Sequence, residues 1–121
     1  MPDSPIFVKV YDLIVWLVPH TLKFPREHRF MLAARIQTCA YDLQRALLHA
    51  VKAPTVAAQA EALRQADIEL SELRLHLRLA NDIHLIERRT YEHAARLTDE
   101  VGRLLGGWQK KVAPTFGTTG A

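Results

Sequence analysis

The chain has 121 residues, one cysteine, five glycines and a formal charge of +3, with a pI near 9.3. That length suits one domain able to bury a core unaided, and the lone Cys39 excludes an internal disulfide framework or a cysteine-built metal site. Plentiful Leu, Ala, Arg and Glu with few β-branched runs exclude a sheet class in favour of an all-α one, a reducing cytoplasm is the expected compartment, and the mild positive charge permits an acidic partner without requiring one.

Ser4 before Pro5 reads as an N-cap with proline at the first helical position, and Asp3 adds negative charge beside the positive end of the helix dipole. A helix is expected over residues 5–22. Its apolar residues Ile6, Phe7, Val10, Leu13, Ile14, Val15, Trp16, Leu17 and Val18 cover most of the circumference, so it is expected to be buried on two sides. No basic n-region precedes the apolar stretch, which is short for a bilayer and interrupted by Lys9 and Asp12, so a soluble protein with no membrane partner is expected. Pro19 is expected to kink or fray the last turn.

Lys23-Phe24-Pro25-Arg26-Glu27-His28-Arg29-Phe30 forms a hinge, because Phe24 before proline is pushed out of the helical region and Pro25 suits a helix start. The second helix is expected over residues 25–51, with Ala33, Ile36, Ala40, Leu43, Leu47 and Ala50 spaced by threes and fours as a bundle seam. Lys23, Arg26, Arg29, Arg35, Arg45 and Lys52 concentrate positive charge here. Arg29 projects on the core side of the first turn, where it makes either a structural ion pair or a ligand contact.

Pro54 marks the start of a third helix over residues 55–84, whose seam is Leu63, Ala66, Leu70, Leu73, Leu77 and Ala80. At about 100° per residue, Ile68, Leu75, Leu79 and Ile83 fall opposite that seam. Two apolar faces need two partners, and a single small bundle offers the second face only water, so a neighbouring subunit is expected to cover it. The fourth helix, over residues 87–111 after a break near Leu85 and Ile86, resumes the seam with Ala94, Thr98, Val101, Leu105 and Trp108. Gly102 and Gly106 lie four apart, either admitting another backbone or, with Gly107, simply weakening the helix end. Residues 112–121, with Pro114, Gly117 and Gly120 and little to bury, are expected to form a flexible tail.

Six histidines and thirteen acids raise the question of a metal centre, since helical bundles hold di-iron sites through Glu-x-x-His pairs. No histidine here has a glutamate three residues before it. Glu69, Glu72 and His76 share a helix side, where a solvated charged face is the simpler account. Cys39 would be a nucleophile only if folding brought a histidine to it, and a lone cysteine beside a seam is more often inert. Phosphate-binding glycine loops, Gly-x-Ser-x-Gly and His-Glu-x-x-His are absent, so no catalytic residue, metal or cofactor is expected and the chain is not expected to be an enzyme.

Several stretches, in order, resemble the accessory variability determinant proteins of diversity-generating retroelements, which are related to the four-helix-bundle proteins encoded in 23S ribosomal RNA intervening sequences. They are Tyr11-Asp12-Leu13 with Trp16-Leu17, Lys23-Phe24-Pro25 with Arg29-Phe30, Leu73-Arg74-Leu75 with Leu77-Arg78-Leu79-Ala80, Tyr91-Glu92-His93, and Gly102-Arg103-Leu104-Leu105-Gly106-Gly107-Trp108. The resemblance implies an antiparallel four-helix bundle assembling as a barrel-like homopentamer, and partners in a reverse transcriptase and its template RNA or cDNA during mutagenic copying. Candidates for nucleic-acid or reverse-transcriptase contact are Lys23, Arg26, Arg74, Arg78, Arg88, Arg89, Lys110 and Lys111, and for the oligomer interface Ile68, Leu75, Leu79 and Ile83. Arg74 and Arg78, one turn apart, have the spacing to straddle successive phosphates. The competing account of each basic pair is a solvated face or an intrahelical bridge to Asp67 or Glu72. The competing function is a structural bundle of the intervening-sequence type, with a protein-interaction role and no reverse transcriptase.

Overall fold

The structure, a computed structural model, describes residues 4–112. Asp3 and residues 113–121 of the expected tail lie outside the described residues, while Val112, expected to open that tail, is the last residue of the final helix. Four helical segments account for the fold: α1 is Pro5–Leu22, α2 is the composite of Arg26–His28, Arg29–Ala33 and Ala34–Lys52, α3 is Val56–Asp82, and α4 is Arg88–Val112. Among the described residues there is no strand. Helix α1 packs on α2 and α4, and α3 packs on the same two, so each helix meets two neighbours around a shared core. Connections of a few residues make sequence neighbours antiparallel.

The seams read from residue spacing are the core. Leu13, Ile36, Leu43, Leu47, Leu63, Leu73, Val101 and Leu105 are almost fully buried, and Ala33, Ala40, Ala50, Ala66, Ala80 and Ala94 let the helices approach between them. Two hydroxyls share this interior without loss of hydrogen bonding: Thr21 donates to the Val18 carbonyl at 2.9 Å, and Thr98 to that of Ala95 at 3.0 Å. Gln37 donates to Thr21 at 2.8 Å and ties α2 to the end of α1.

Local chemistry sets the helix ends, in places differently from the sequence reading. Ser4 occupies the cap of α1, but it is its carbonyl that accepts, from Phe7 at 3.0 Å and Val8 at 3.2 Å, while its side chain makes no capping bond. Pro19 neither stops nor frays α1, which continues to Leu22. Val15, whose carbonyl lacks the usual partner at Pro19, is exposed, so the missing bond falls on the wet side. Pro25 and Pro54 are not first helical residues: Pro25 occupies the cap position of α2, and Pro54 precedes Thr55, which caps α3 by accepting from the Ala58 N–H at 3.0 Å. Helix α1, at 18 residues, is long and apolar enough to match a bilayer, yet Ile6, Phe7, Val10, Leu13 and Leu17 are spent on the core.

The largest departure lies in α2. Arg29–Ala33 is a π-helical turn in which the Ala34 N–H donates to the Arg29 carbonyl five residues back. The extra residue rotates everything before it by about 100° relative to the seam. Arg29 therefore does not face the core: it is exposed and in no ion pair among the described residues, while Phe30 and Met31 stand out at 82% and 76% exposure.

Candidate functional site

Of the eight basic candidates, Lys23 and Arg26 lie at the α1–α2 corner, both exposed. Lys23 is the last-turn cap of α1, its N–H donating to the His20 carbonyl at 3.2 Å. Arg88 and Arg89 open α4 and Lys110 and Lys111 close it, all four exposed. The closing lysines complement the helix dipole; the opening arginines oppose it. Arg88 is offset by Glu92 one turn on, at 3.3 Å, and Arg89 has no acid in a bridge among the described residues.

Arg74 and Arg78 do not form a free pair. Arg74 crosses to α4, donating to the Thr98 carbonyl at 3.1 Å and lying 3.3 Å from Asp99. Gly102 makes this possible, since a Cβ there would sit 2.6 Å from the guanidinium. The neighbour that Gly102 admits is thus an arginine side chain rather than a backbone. Arg78 pairs with Asp82 on its own helix at 3.8 Å. Glu72, expected to bridge within α3, instead meets Arg35 of α2 at 3.3 Å.

The stripe opposite the α3 seam is exposed, at 41% for Ile68, 57% for Leu75, 44% for Leu79 and 42% for Ile83. A shallow groove joins Leu79 to Phe30 and Met31, so the π turn extends the stripe across to α2. A second apolar face lies between α1 and α2, where Val8, Tyr11 and Tyr41 are exposed around a groove floored by Phe7, Ile14 and Leu48. Neither Phe30 with Met31 nor Tyr11 with Tyr41 was singled out by residue spacing. The first pair is hidden by the π turn, and the second by an α1 that is apolar nearly all round.

Cys39 is buried, which raises its thiol pKa, the nearby Glu69 adding to the effect. That combination disfavours the thiolate a nucleophile needs. The His76 ring nitrogen Nδ1 lies 2.6 Å from the Glu72 carbonyl, and no cluster of three His, Cys, Asp or Glu with metal-binding geometry occurs among the described residues. Trp16 stacks on His20 at 4.0 Å between ring centres and meets His93 at 5.0 Å, a contact that closes α1 on α4.

An all-helical chain of this kind, with four helices and two uncovered apolar faces, has a close counterpart among solved structures. A protein of unknown function from the S23 ribosomal protein family of Bacteroides thetaiotaomicron superposes with a TM-score of 0.82 at 22% identity, over 91% of this chain and 99% of that one. The likeness establishes the fold. The family model described as bAvd-like matches residues 6–112, and the chain belongs to that family. Comparison with curated protein sequences finds no match.

Proposed function

We propose that the chain is a non-enzymatic accessory protein of a diversity-generating retroelement, a cytoplasmic homopentamer that binds the element's reverse transcriptase and its template RNA or cDNA through basic surfaces. The bAvd-like match across residues 6–112 carries this reading. The placement of charge supports it. Arg89 at the positive end of α4 works against the helix and, unlike Arg88 with Glu92, has no acid in a bridge among the described residues, so an anionic partner accounts for it better than folding does. Lys23, Arg26, Arg89, Lys110 and Lys111 are among the exposed cations at the two ends, and Arg78 and Arg88 reach the same partner once their exposed pairs open, each weak in water.

Assembly supplies what one chain lacks. Five copies at +3 each carry about +15, a field strong enough to steer a polyanion. The α3 stripe and the α1–α2 face differ in residues, as a head-to-tail ring requires. Two measurements test the reading. A tagged chain co-expressed with a reverse transcriptase encoded beside it should retain that enzyme on purification, with a complex mass containing five copies of this chain. RNA affinity should fall steeply between low and moderate salt as counterions are released. Affinity indifferent to salt removes the phosphate contacts. An oligomer that never retains a reverse transcriptase favours instead a structural bundle with a protein-interaction role.

A further inference from the structure

One groove lies apart from both apolar faces, at the end of the bundle where α1 begins and α2 and α4 finish. It encloses about 580 Å³ between Pro5, Ile6, Val51, Leu104 and Trp108, with Arg103 and Lys111 at its rim. Arg103, Gly107 and Lys111 follow at i, i+4 and i+8, one line along α4 with the two cations about 12 Å apart in rise. Gly107 is the gap between them. A Cβ there would meet nothing within 4 Å, in contrast to Gly102, where Arg74 fills the space. Glycine within a helix is disfavoured, and nothing among the described residues fills the space at Gly107 or Gly106, of which only Gly107 borders the groove. A group arriving from outside would.

We propose that this groove is a base-binding subsite for single-stranded nucleic acid, with one base laid against the Trp108 indole over Gly107 and adjoining phosphates on Arg103 and Lys111. Single strands are held where an aromatic face takes a base, whatever its identity, and flanking cations take the backbone. The half-buried Trp108 is held by the core on one side and borders the groove on the other. Arg103 pairs with Glu100 on its own helix, but the pair is exposed and yields to a phosphate. A duplex keeps its bases stacked on one another and has none to offer the indole. The inference rests on the nucleic-acid reading above and locates it, joining Lys111 of the sequence-derived candidates to Arg103, Gly107 and Trp108, which are absent from them.

The test uses the full chain carrying Trp16→Phe, so that Trp108 alone reports, and a labelled single-stranded RNA of roughly ten nucleotides, long enough to occupy one such site. Anisotropy of the label measures binding and indole emission measures contact. The expected result is quenching that saturates together with the anisotropy, and no quenching by the matching duplex. Gly107→Leu, whose side chain enters the groove, should weaken binding at least about tenfold, while Gly106→Ala, also in open space, should leave it within about twofold. Should Gly107→Leu fail to fold, Lys111→Glu on the exposed rim asks the same question. Binding without quenching, or affinity unchanged in Gly107→Leu and Lys111→Glu, overturns the subsite and leaves the nucleic-acid reading standing. No anisotropy change with the unaltered chain overturns both. A Gly107→Leu chain of altered oligomeric mass reassigns the groove to contact between copies and overturns the proposal.

Discussion

At the residue scale, His84 shows how the chain turns between α3 and α4 without glycine or proline. Its φ of 64° lies in the left-handed region, its N–H donates to the Asn81 carbonyl at 3.1 Å, and the next N–H, of Leu85, donates to Ala80 at 2.8 Å. These two bonds close the helix end in the manner usually served by glycine. Since the left-handed conformation costs an L-residue about 1–2 kcal/mol, His84→Gly should stabilise the fold by about 1 kcal/mol in urea unfolding, and His84→Val should destabilise it. Glu69 offers a second test, through pH. Burial chiefly, and then Asp42, raises its folded pKa above the usual carboxylate value. A carboxyl that holds its proton more tightly when folded favours the fold at low pH, and that contribution is lost as pH rises from its unfolded pKa through the raised one. Glu69→Gln should therefore unfold at a higher temperature than the parent at pH 7, with the advantage shrinking as pH falls through the raised pKa and gone below about pH 4, near the ordinary glutamate pKa. An equal gain at both pH values would assign the effect to packing instead.

Among the elements, α4 would, on the proposed function, set folding against binding at its first turn. Arg88 and Arg89 face the positive end of the helix dipole, where an acid is worth about 0.3–1 kcal/mol more than a neutral group. Arg89→Glu is expected to raise stability by up to about 1 kcal/mol while lowering RNA affinity, two readouts that move in opposite directions. A loss of both would mark Arg89 as structural. The same scale explains what could be read from the chain beforehand. Seams such as Leu63 to Ala80 and Ala94 to Leu105 were legible because a continuous α-helix repeats its burial pattern, and the interior of this fold is built on that repeat. Arg29 and Phe30 were not, because a π turn inserts one residue and no residue type announces it. The cross-bundle partner of Arg74 was hidden for a related reason: the Thr98 carbonyl lies on α4 beside a glycine, and spacing along α3 carries no information about α4. The groove beside Trp108 is assembled from all four helices and was equally invisible to any one of them.

For the whole molecule, the proposed assembly poses the question of how two unlike apolar faces would be covered. If the α3 stripe packed on a second α3 stripe, a closed two-fold dimer would result and the face around Tyr11 would stay wet. If the stripe of one copy instead receives the α1–α2 face of the next, each copy uses both faces, and the contacts close into a ring where the rotation between copies allows it, as the proposed pentamer requires. Leu75 and Tyr11, at 57% and 68% exposure, stand at the two faces away from the core, so each accepts glutamate without harm to the isolated bundle. A carboxylate buried at an interface without a partner is costly enough to break it. Leu75→Glu and Tyr11→Glu should each sediment as monomers, with helical content close to the parent's and a thermal midpoint lowered by the loss of subunit contacts. Mixed in equal amounts, the two have one intact pair of faces between them, the α1–α2 face of the Leu75→Glu chain and the α3 stripe of the Tyr11→Glu chain. The mixture should therefore form dimers and stop there, since the remaining faces both carry glutamate. Tyr11→Glu that keeps the parent mass would show that the Tyr11 face takes no part in assembly, and head-to-tail closure would fail with it.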